Sequence, residues 1–345
     1  MSALNKGLVT GFEENAVHIL QSARSREINA RQELREQIMS RGAEQEALAQ
    51  KARDARSSTG DDQIIVRASI EFSNFCRQRC SFCGMTATNK QLQRYRLSAG
   101  QMFDIVKDVS ALGVSDLHLA SGEDWAFKAD ALSPVIRQAV AAGMEVTLVT
   151  GHRKIEDYAV WKEAGASRYI LKVETTNPDS FIAARTGTEL TQRVSHLLYL
   201  RQMGFKIGSG IISGLPNQTV DDLVDDLMFL KELKPDMSSV SRFLPNSQSR
   251  FASTPEGDPD TSLNFLSLLR TEMSRPGLRI PAGTSLGRRQ IDAIRHGANV
   301  VSLHVTPDEY ADLYSGYRAE NRISTKMETI RKFAQETGMP LRLHL

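Results

Sequence analysis

The sequence predicts an α/β protein built as a (β/α)8, TIM-type barrel with extra N-terminal helices, and three observations predict it. Eight short apolar runs alternate with helical stretches between residues 64 and 303. Glycines mark the passage from helix to next strand in Leu112-Gly113-Val114, Ala142-Gly143-Met144, Ala164-Gly165-Ala166 and Met203-Gly204-Phe205. A chain of 345 residues has room for one such barrel and an extension. A doubly wound open sheet is the second reading of the same alternation.

Taken in order, residues from about 11 to 56 are rich in Glu, Gln, Arg and Ala and contain no proline. Val17, Leu20, Leu34 and Ile38 recur there at helical spacing, which predicts two or three helices. Residues 1–60 therefore read as a helical extension and 61–345 as the barrel domain. Ser57-Ser58-Thr59-Gly60-Asp61-Asp62 is a loop by composition, and Ile64 to Phe72 reads as the first strand. Further buried parallel strands are expected at 116–120, 145–149, 168–173, 206–213, 237–243, 278–282 and 299–303. Helices are expected at 99–112, 127–142, 154–164, 189–203, 218–232, 259–273 and 287–296, with a last one at about 322–337.

Hydrophobic residues make up 41% of the chain and charged residues 24%, with a net charge of +2. This ordinary balance supplies no general electrostatic attraction to nucleic acid or a membrane surface, so neither is an expected partner. Glu13, Glu14 and several arginines interrupt the N-terminal region, which reads neither as a signal peptide nor as a membrane helix. A cytoplasmic enzyme is the expectation.

The three cysteines of the chain, Cys76, Cys80 and Cys83, lie together in Cys-Arg-Gln-Arg-Cys-Ser-Phe-Cys-Gly. An odd set in one tight loop points to a metal centre in a reducing compartment rather than to a disulfide. Soft thiolates select an iron-sulfur cluster, zinc or Cu(I). A structural zinc site needs a fourth protein ligand, and the nearest histidines, His18, His118 and His152, are remote in sequence. A 4Fe-4S cluster held by three thiolates keeps one iron open to an outside ligand.

In an α/β barrel the site is assembled at the C-terminal ends of the strands. The cysteine loop follows the first strand. Ser121-Gly122-Glu123-Asp124 follows the second and offers backbone carbonyls and a carboxylate to an ammonium group, although such a turn also reads as a helix N-cap. Glu174 ends the fourth strand; capping of the helix near Pro178 is its structural alternative. Arg193, on the next helix, can grip a carboxylate with two hydrogen bonds or lie on a solvated face. Gly208-Ser209-Gly210-Ile211-Ile212-Ser213-Gly214 is GxGxxxG, lacks a following Gly-Lys-Ser/Thr, and is a poor phosphate cradle. Its glycines suit close approach of an adenine or ribose to the backbone.

With these residues in hand, the chain resembles the radical S-adenosylmethionine (SAM) superfamily in its CxxxCxxC motif. It is most similar to the biotin synthase-like group, in particular to the FeFe-hydrogenase maturase and methylornithine synthase families. The resemblance runs from about residue 64 to 305. It includes Ile70-Glu71-Phe72-Ser73-Asn74-Phe75-Cys76, Asn89-Lys90, Arg94-Tyr95-Arg96, Glu174-Thr175-Thr176-Asn177-Pro178, Gly214-Leu215-Pro216-Asn217-Gln218-Thr219 and Gly297-Ala298-Asn299. It implies one 4Fe-4S cluster on Cys76, Cys80 and Cys83, with SAM as the second cofactor. Gly122 and Glu123 would meet the SAM amino group, Glu174 and Arg193 its ribose and carboxylate, and Gly210 and Ile212 its adenosine. Reductive cleavage of SAM would yield a 5′-deoxyadenosyl radical, fed by a flavodoxin- or ferredoxin-type electron donor.

Biotin synthase carries additional cysteines for a second cluster, and none remain here, so sulfur insertion is not expected. Rearrangement or bond cleavage on a small polar, amino-acid-like substrate is the expected reaction, with hydrogenase-cofactor maturation and a noncatalytic metal scaffold as alternatives. Arg242, Asn246, Thr284, Ser285, His304 and Thr306 fall at the last strand ends, where a substrate would face SAM.

Overall fold

The computed structural model describes residues 11–25, 28–317 and 325–343. Three helices, α1 (Glu13–Ser22), α2 (Ile28–Met39) and α3 (Ala43–Ser58), precede the sheet. The sheet begins with β1 (Ile64–Ser73), and a two-residue strand β2 (Arg79–Cys80) lies in the cysteine loop. There follow α4 (Ala99–Ala111), β3 (Asp116–Ser121), α5 (Ala129–Ala141), β4 (Glu145–Val149), α6 (Ile155–Glu163) and β5 (Arg168–Ile170). Next come α7 (Pro178–Ala184), β6 (Arg185–Thr186), α8 (Leu190–Gln202), β7 (Lys206–Ser213), α9 (Val220–Leu233), β8 (Met237–Arg242) and α10 (Pro259–Glu272). A 3-10 turn (Thr284–Arg289), α11 (Gln290–Arg295), β9 (Val300–His304), α12 (Asp308–Ala311), α13 (Met327–Thr337) and β10 (Leu341–Arg342) complete the order.

The strands form a closed parallel barrel. β1, β3, β4, β5, β7 and β8 are neighbours in that order, and β9 lies on the other side of β1. The gap between β8 and β9 is filled by residues 279–281 through the parallel bridges Met237 to Arg279 and Pro281 to Val300. All eight expected staves are therefore present, and the open-sheet reading falls. Helix starts follow local chemistry: Ser98 with Gln101 and Thr219 with Asp222 form capping boxes, and Asp258 caps α10 ahead of Pro259. Gly113, Gly143, Gly165 and Gly204 all have positive φ, as the helix-to-strand junctions require.

Two stretches differ from the sequence expectation. The fourth stave keeps regular ladder geometry only to Ile170, because Glu174 takes φ 70° and re-enters the ladder by an isolated bridge to Ile211. The short α7 begins at Pro178 as expected, whereas β6 was not foreseen; β6 pairs antiparallel with β2, Cys80 opposite Arg185. The part of the final expected helix before residue 325 lies outside the described residues.

Alternation along the staves sorts side chains into an apolar outer shell and a polar lumen. On β1, Val66, Ala68, Ile70 and Phe72 join the main core, which is continuous with Ala16, Leu34, Ile38 and Leu48 of α1–α3. Arg67 instead points inward, with Nη1 3.4 Å from the sulfur of Met237 and Nη2 2.8 Å from Ser302 Oγ. At the N-terminal mouth Arg279 joins Asp116 and Glu145, each at 2.5 Å, and Arg342 binds Asp116 at 2.5 Å. Among the described residues, no helix is long and apolar enough to cross a membrane.

Candidate active site

The cysteine loop is held at both ends. Asn74, just past β1, donates from Nδ2 to the carbonyls of Gln93 and Leu313, both at 2.8 Å, and accepts from the Tyr95 amide at 2.9 Å. Arg94 gathers four loop carbonyls, those of Asn74 (2.6 Å), Met85 (2.9 Å), Thr86 (2.8 Å) and Asn89 (3.2 Å). β6 and the end of α7 fix the middle: β6 pairs with β2, and Ser81 donates from its amide to the Ala184 carbonyl and from its hydroxyl to that of Ala183. All three thiols are free, and burial pushes each upward.

The Ser121–Asp124 turn lies directly under this loop. A Cβ on Gly122 would overlap the Phe75 carbonyl and come within 2.8 Å of Cys76 Cβ, so only glycine fits. The Glu123 amide donates to Cys76 Sγ at 3.3 Å, and Glu123 Oε1 accepts from Gln78 Nε2 at 2.7 Å. Glu123 Oε2 is buried and has no partner. The turn does not cap a helix, since the residue before α5 is Lys128. Asp124 instead accepts from Arg96 at 2.6 and 3.0 Å and from Ser73 Oγ at 2.7 Å. Burial opposes its ionisation, yet these bonds hold it below the usual carboxylate range.

Across the mouth, Glu174 sits between Lys172 Nζ at 3.2 Å and Arg185 Nη1 at 3.3 Å. Burial again opposes the charge, but Lys172, Arg185 and Arg193 hold the carboxyl below its ordinary range. Capping of α7 falls to Asn177, whose Oδ1 accepts from the Ser180 amide at 3.0 Å. Arg193 is not on a solvated face; it is buried, with Nε bonded to the Lys172 carbonyl and Nη1 unpartnered. Burial and the neighbouring Arg185 bring it down to about 10, which leaves it charged at neutral pH.

On β7, Gly210 is needed for a protein contact, because a Cβ there would overlap the Ser239 carbonyl. Ile212 belongs to a small apolar cluster with Ala184, Leu215 and Phe243, against which Phe82 of the cysteine loop packs. Thr284 bonds Tyr317 at 2.5 Å, and Ser285 Oγ accepts from the Arg242 amide at 3.0 Å. The Arg242 guanidinium is engaged by the Gly257 carbonyl at 2.6 Å and by Glu256 at 2.5 Å. His304 Nδ1 accepts from the Thr325 amide at 3.1 Å. Thr306 accepts from the Glu71 amide at 2.8 Å, and Asn246 reaches Ser315 at 3.2 Å.

Sequence reading missed Arg67, His118, His152, Lys172 and Arg185. A charged residue inside an apolar strand run, as in Val66-Arg67-Ala68, was the available signal for the lumen. Arg185 had none, since only the β2–β6 pairing brings it to Cys80.

The residues fit a cluster and SAM. Unpartnered buried atoms on Glu123, His152, Arg185 and Arg193 surround the cysteine loop and leave both acceptor and donor capacity for a zwitterion. Among the described residues no three Cys, His, Asp or Glu side chains are close enough to share one metal ion. Three thiolates on one loop suit a 4Fe-4S cluster, which takes one thiolate per iron.

Residues 70–230 match the sequence model of the radical SAM superfamily, and this chain belongs to that superfamily, whose members bind a 4Fe-4S cluster and SAM. Among its relatives, the [FeFe] hydrogenase maturase subunit HydE of Thermotoga maritima is 38% identical over 277 residues, 79% of each chain. The 3-methylornithine synthase of Methanosarcina barkeri is 25% identical over 281 residues, 79% of this chain and 78% of the other. The crystal structure of methylornithine synthase (PylB) matches with a TM-score of 0.80 at 21% identity, covering 94% and 97% of the two chains. That likeness shows a shared fold.

Proposed function

We propose that this radical SAM enzyme acts on a small polar substrate carrying an acidic group, by rearrangement or bond cleavage. The observation that carries this reading is Arg67, a part-buried residue in the lumen whose guanidinium has described bonds only to a thioether and a hydroxyl. Its Nε has no partner. A buried cation without a bonded carboxylate is costly, and an anionic ligand group relieves that cost. His118, kept neutral by burial and by Arg67, presents an unpartnered Nε2 in the same lumen, with His304 among the groups acting on it.

Cys76, Cys80 and Cys83 would ligate the cluster, and the Gly122–Glu123 turn would take the SAM amino group. Arg193, Arg185 and Glu174 would take its carboxylate and ribose, and Gly210 and Ile212 would lie near the adenosine. When bound, the two cofactors supply a carbon-centred radical by reductive cleavage of SAM. The protein orients them and screens the reaction from water, using the apolar wall of Phe82, Ile212 and Phe243. Arg242, Thr284, Ser285 and His304 would form the far wall for substrate. A reduced flavodoxin or ferredoxin is the proposed electron source.

The identity to HydE favours a second reading, hydrogenase-cofactor maturation. It requires a hydrogenase and the other maturases in the same cell. The common test is anaerobic iron and sulfide reconstitution, then SAM and dithionite, with 5′-deoxyadenosine measured against a Cys80→Ala control. Deoxyadenosine that is lost in the control supports the reading. A loaded cluster that never cleaves SAM, even with acidic amino acids present, overturns it.

A further inference from the structure

The loop after β4 carries a side chain that neither the sequence motifs nor the strand-end argument picks out. Gly151, at φ 69°, leaves space that Glu123 occupies; a Cβ there would lie 2.8 Å from Glu123 Oε2. His152 follows at once. It is buried, its carbonyl accepts from Trp125 Nε1 at 2.8 Å, and its ring stacks on that of His196 with centroids 4.5 Å apart. His196 is itself placed by the Tyr158 hydroxyl, 3.2 Å from Nδ1. The His152 backbone is thus held by Trp125 and its ring by His196, while its Nε2 is buried without a partner.

An orphaned, oriented ring nitrogen of this kind in a packed interior calls for an explanation by a ligand. The groups acting electrostatically on His152 are Arg193, His196, Arg185 and Arg77, and with burial they keep its imidazole neutral. Two of those arginines also hold unpartnered nitrogens. Through Gly151 the loop meets Glu123, and through electrostatics it meets Arg193, so it stands at the amino-acid end of the SAM site.

We infer that His152 is a SAM-positioning residue whose Nε2–H donates to the SAM carboxylate beside Arg193. This rests on the reading of the site as the SAM site, and the experiment separates the two. Dissociation constants are measured by equilibrium dialysis on the reconstituted, unreduced protein, so that no SAM is consumed, for SAM and for decarboxylated SAM. His152→Phe keeps an aromatic ring against His196 and removes the donor. It is expected to weaken SAM about tenfold, the order of one hydrogen bond to a charged group. Decarboxylated SAM should bind the variant and the parent alike, and His152→Gln should recover part of the loss. Equal weakening of both ligands, or no weakening of either, overturns the assignment while the SAM reading stands. Failure of the parent protein to bind SAM overturns both. Melting temperatures of the variants, unchanged if they fold normally, exclude a collapsed pocket as the cause.

Discussion

Arg94 offers the sharpest test of how this chain builds its cysteine loop. Its guanidinium bridges carbonyls at two ends of the loop, Asn74 on one side and Met85, Thr86 and Asn89 on the other. Arg94→Lys keeps the charge, but a single ammonium on a flexible stem cannot reproduce that planar fork. If three of the four bonds are lost at about 1 kcal/mol each, the closed loop loses ~3 kcal/mol relative to open forms. That corresponds to roughly a 100-fold rise in the loop's opening equilibrium. The barrel core contributes nothing to this loss, so global unfolding should change little while local opening changes greatly. Amide hydrogen exchange should accelerate in residues 74–96 and not in β3 or β4, and iron retained after reconstitution should fall. Unchanged exchange in that segment, or full iron loading, would show that the β2–β6 pair alone orders the loop and that the argument from Arg94 is wrong.

Other outcomes follow from single contacts. Gly122→Ala drives a methyl into the Phe75 carbonyl and Cys76, and should lower both iron content and SAM binding, read by iron analysis and dialysis, with the melting temperature shifted only slightly. Asp226, fully buried on α9, accepts from the Thr176 amide and hydroxyl at 2.5 and 2.7 Å, and desolvation raises its carboxyl to about 7. The folded state therefore holds a proton that the unfolded chain releases first, so stability is lost as pH rises from about 4 through 7. Asp226→Asn should flatten that part of the urea-denaturation profile and be more stable than the parent at pH 8. Arg67→Met removes a part-buried charge without a bonded carboxylate from the lumen and should leave the free protein as stable or more so in denaturant. It should abolish substrate-stimulated deoxyadenosine formation while sparing SAM binding.

The parts of the fold that were legible in the sequence are those governed by local periodicity and caps. Each stave announces itself by an apolar run because its outer face must pack on helices, and Ser98, Thr219 and Asp258 announce helix starts because each supplies its own capping oxygen. The cysteine motif and the Gly122–Glu123 turn were legible because their spacing is itself the geometry. Glu174 was placed correctly at a strand end, but its left-handed backbone was not readable, since the Gly210 and Ile212 ladder bonds that sustain it come from a distant segment. Arg193 was readable as a residue near the mouth, while its burial depends on the packing of α8. The two-residue β6 fell below any periodic signal.

The polar lumen shows why the remaining site residues resist a strand-end search. In a barrel filled with branched aliphatics, function is confined to the rim, because layers of side chains block the interior. Here the inward positions carry Arg67, His118, Lys172, Ser239 and Ser302, and the aliphatic load of the same strands has moved to the outer shell. The inner and outer faces thus follow different constraints at alternate positions of one strand. Val66, Ala68 and Ile70 belong to the apolar core, whereas Arg67 between them bonds Ser302 of the neighbouring stave. The ionic network of Asp116, Glu145, Arg279 and Arg342 closes the lower mouth, so a ligand in the lumen is bounded by charge below and by the cysteine-loop mouth above. On the proposed function, an acidic group held low on Arg67 would leave the rest of a small molecule pointing toward that mouth, where Glu123, Glu174 and Arg193 would hold the cofactor.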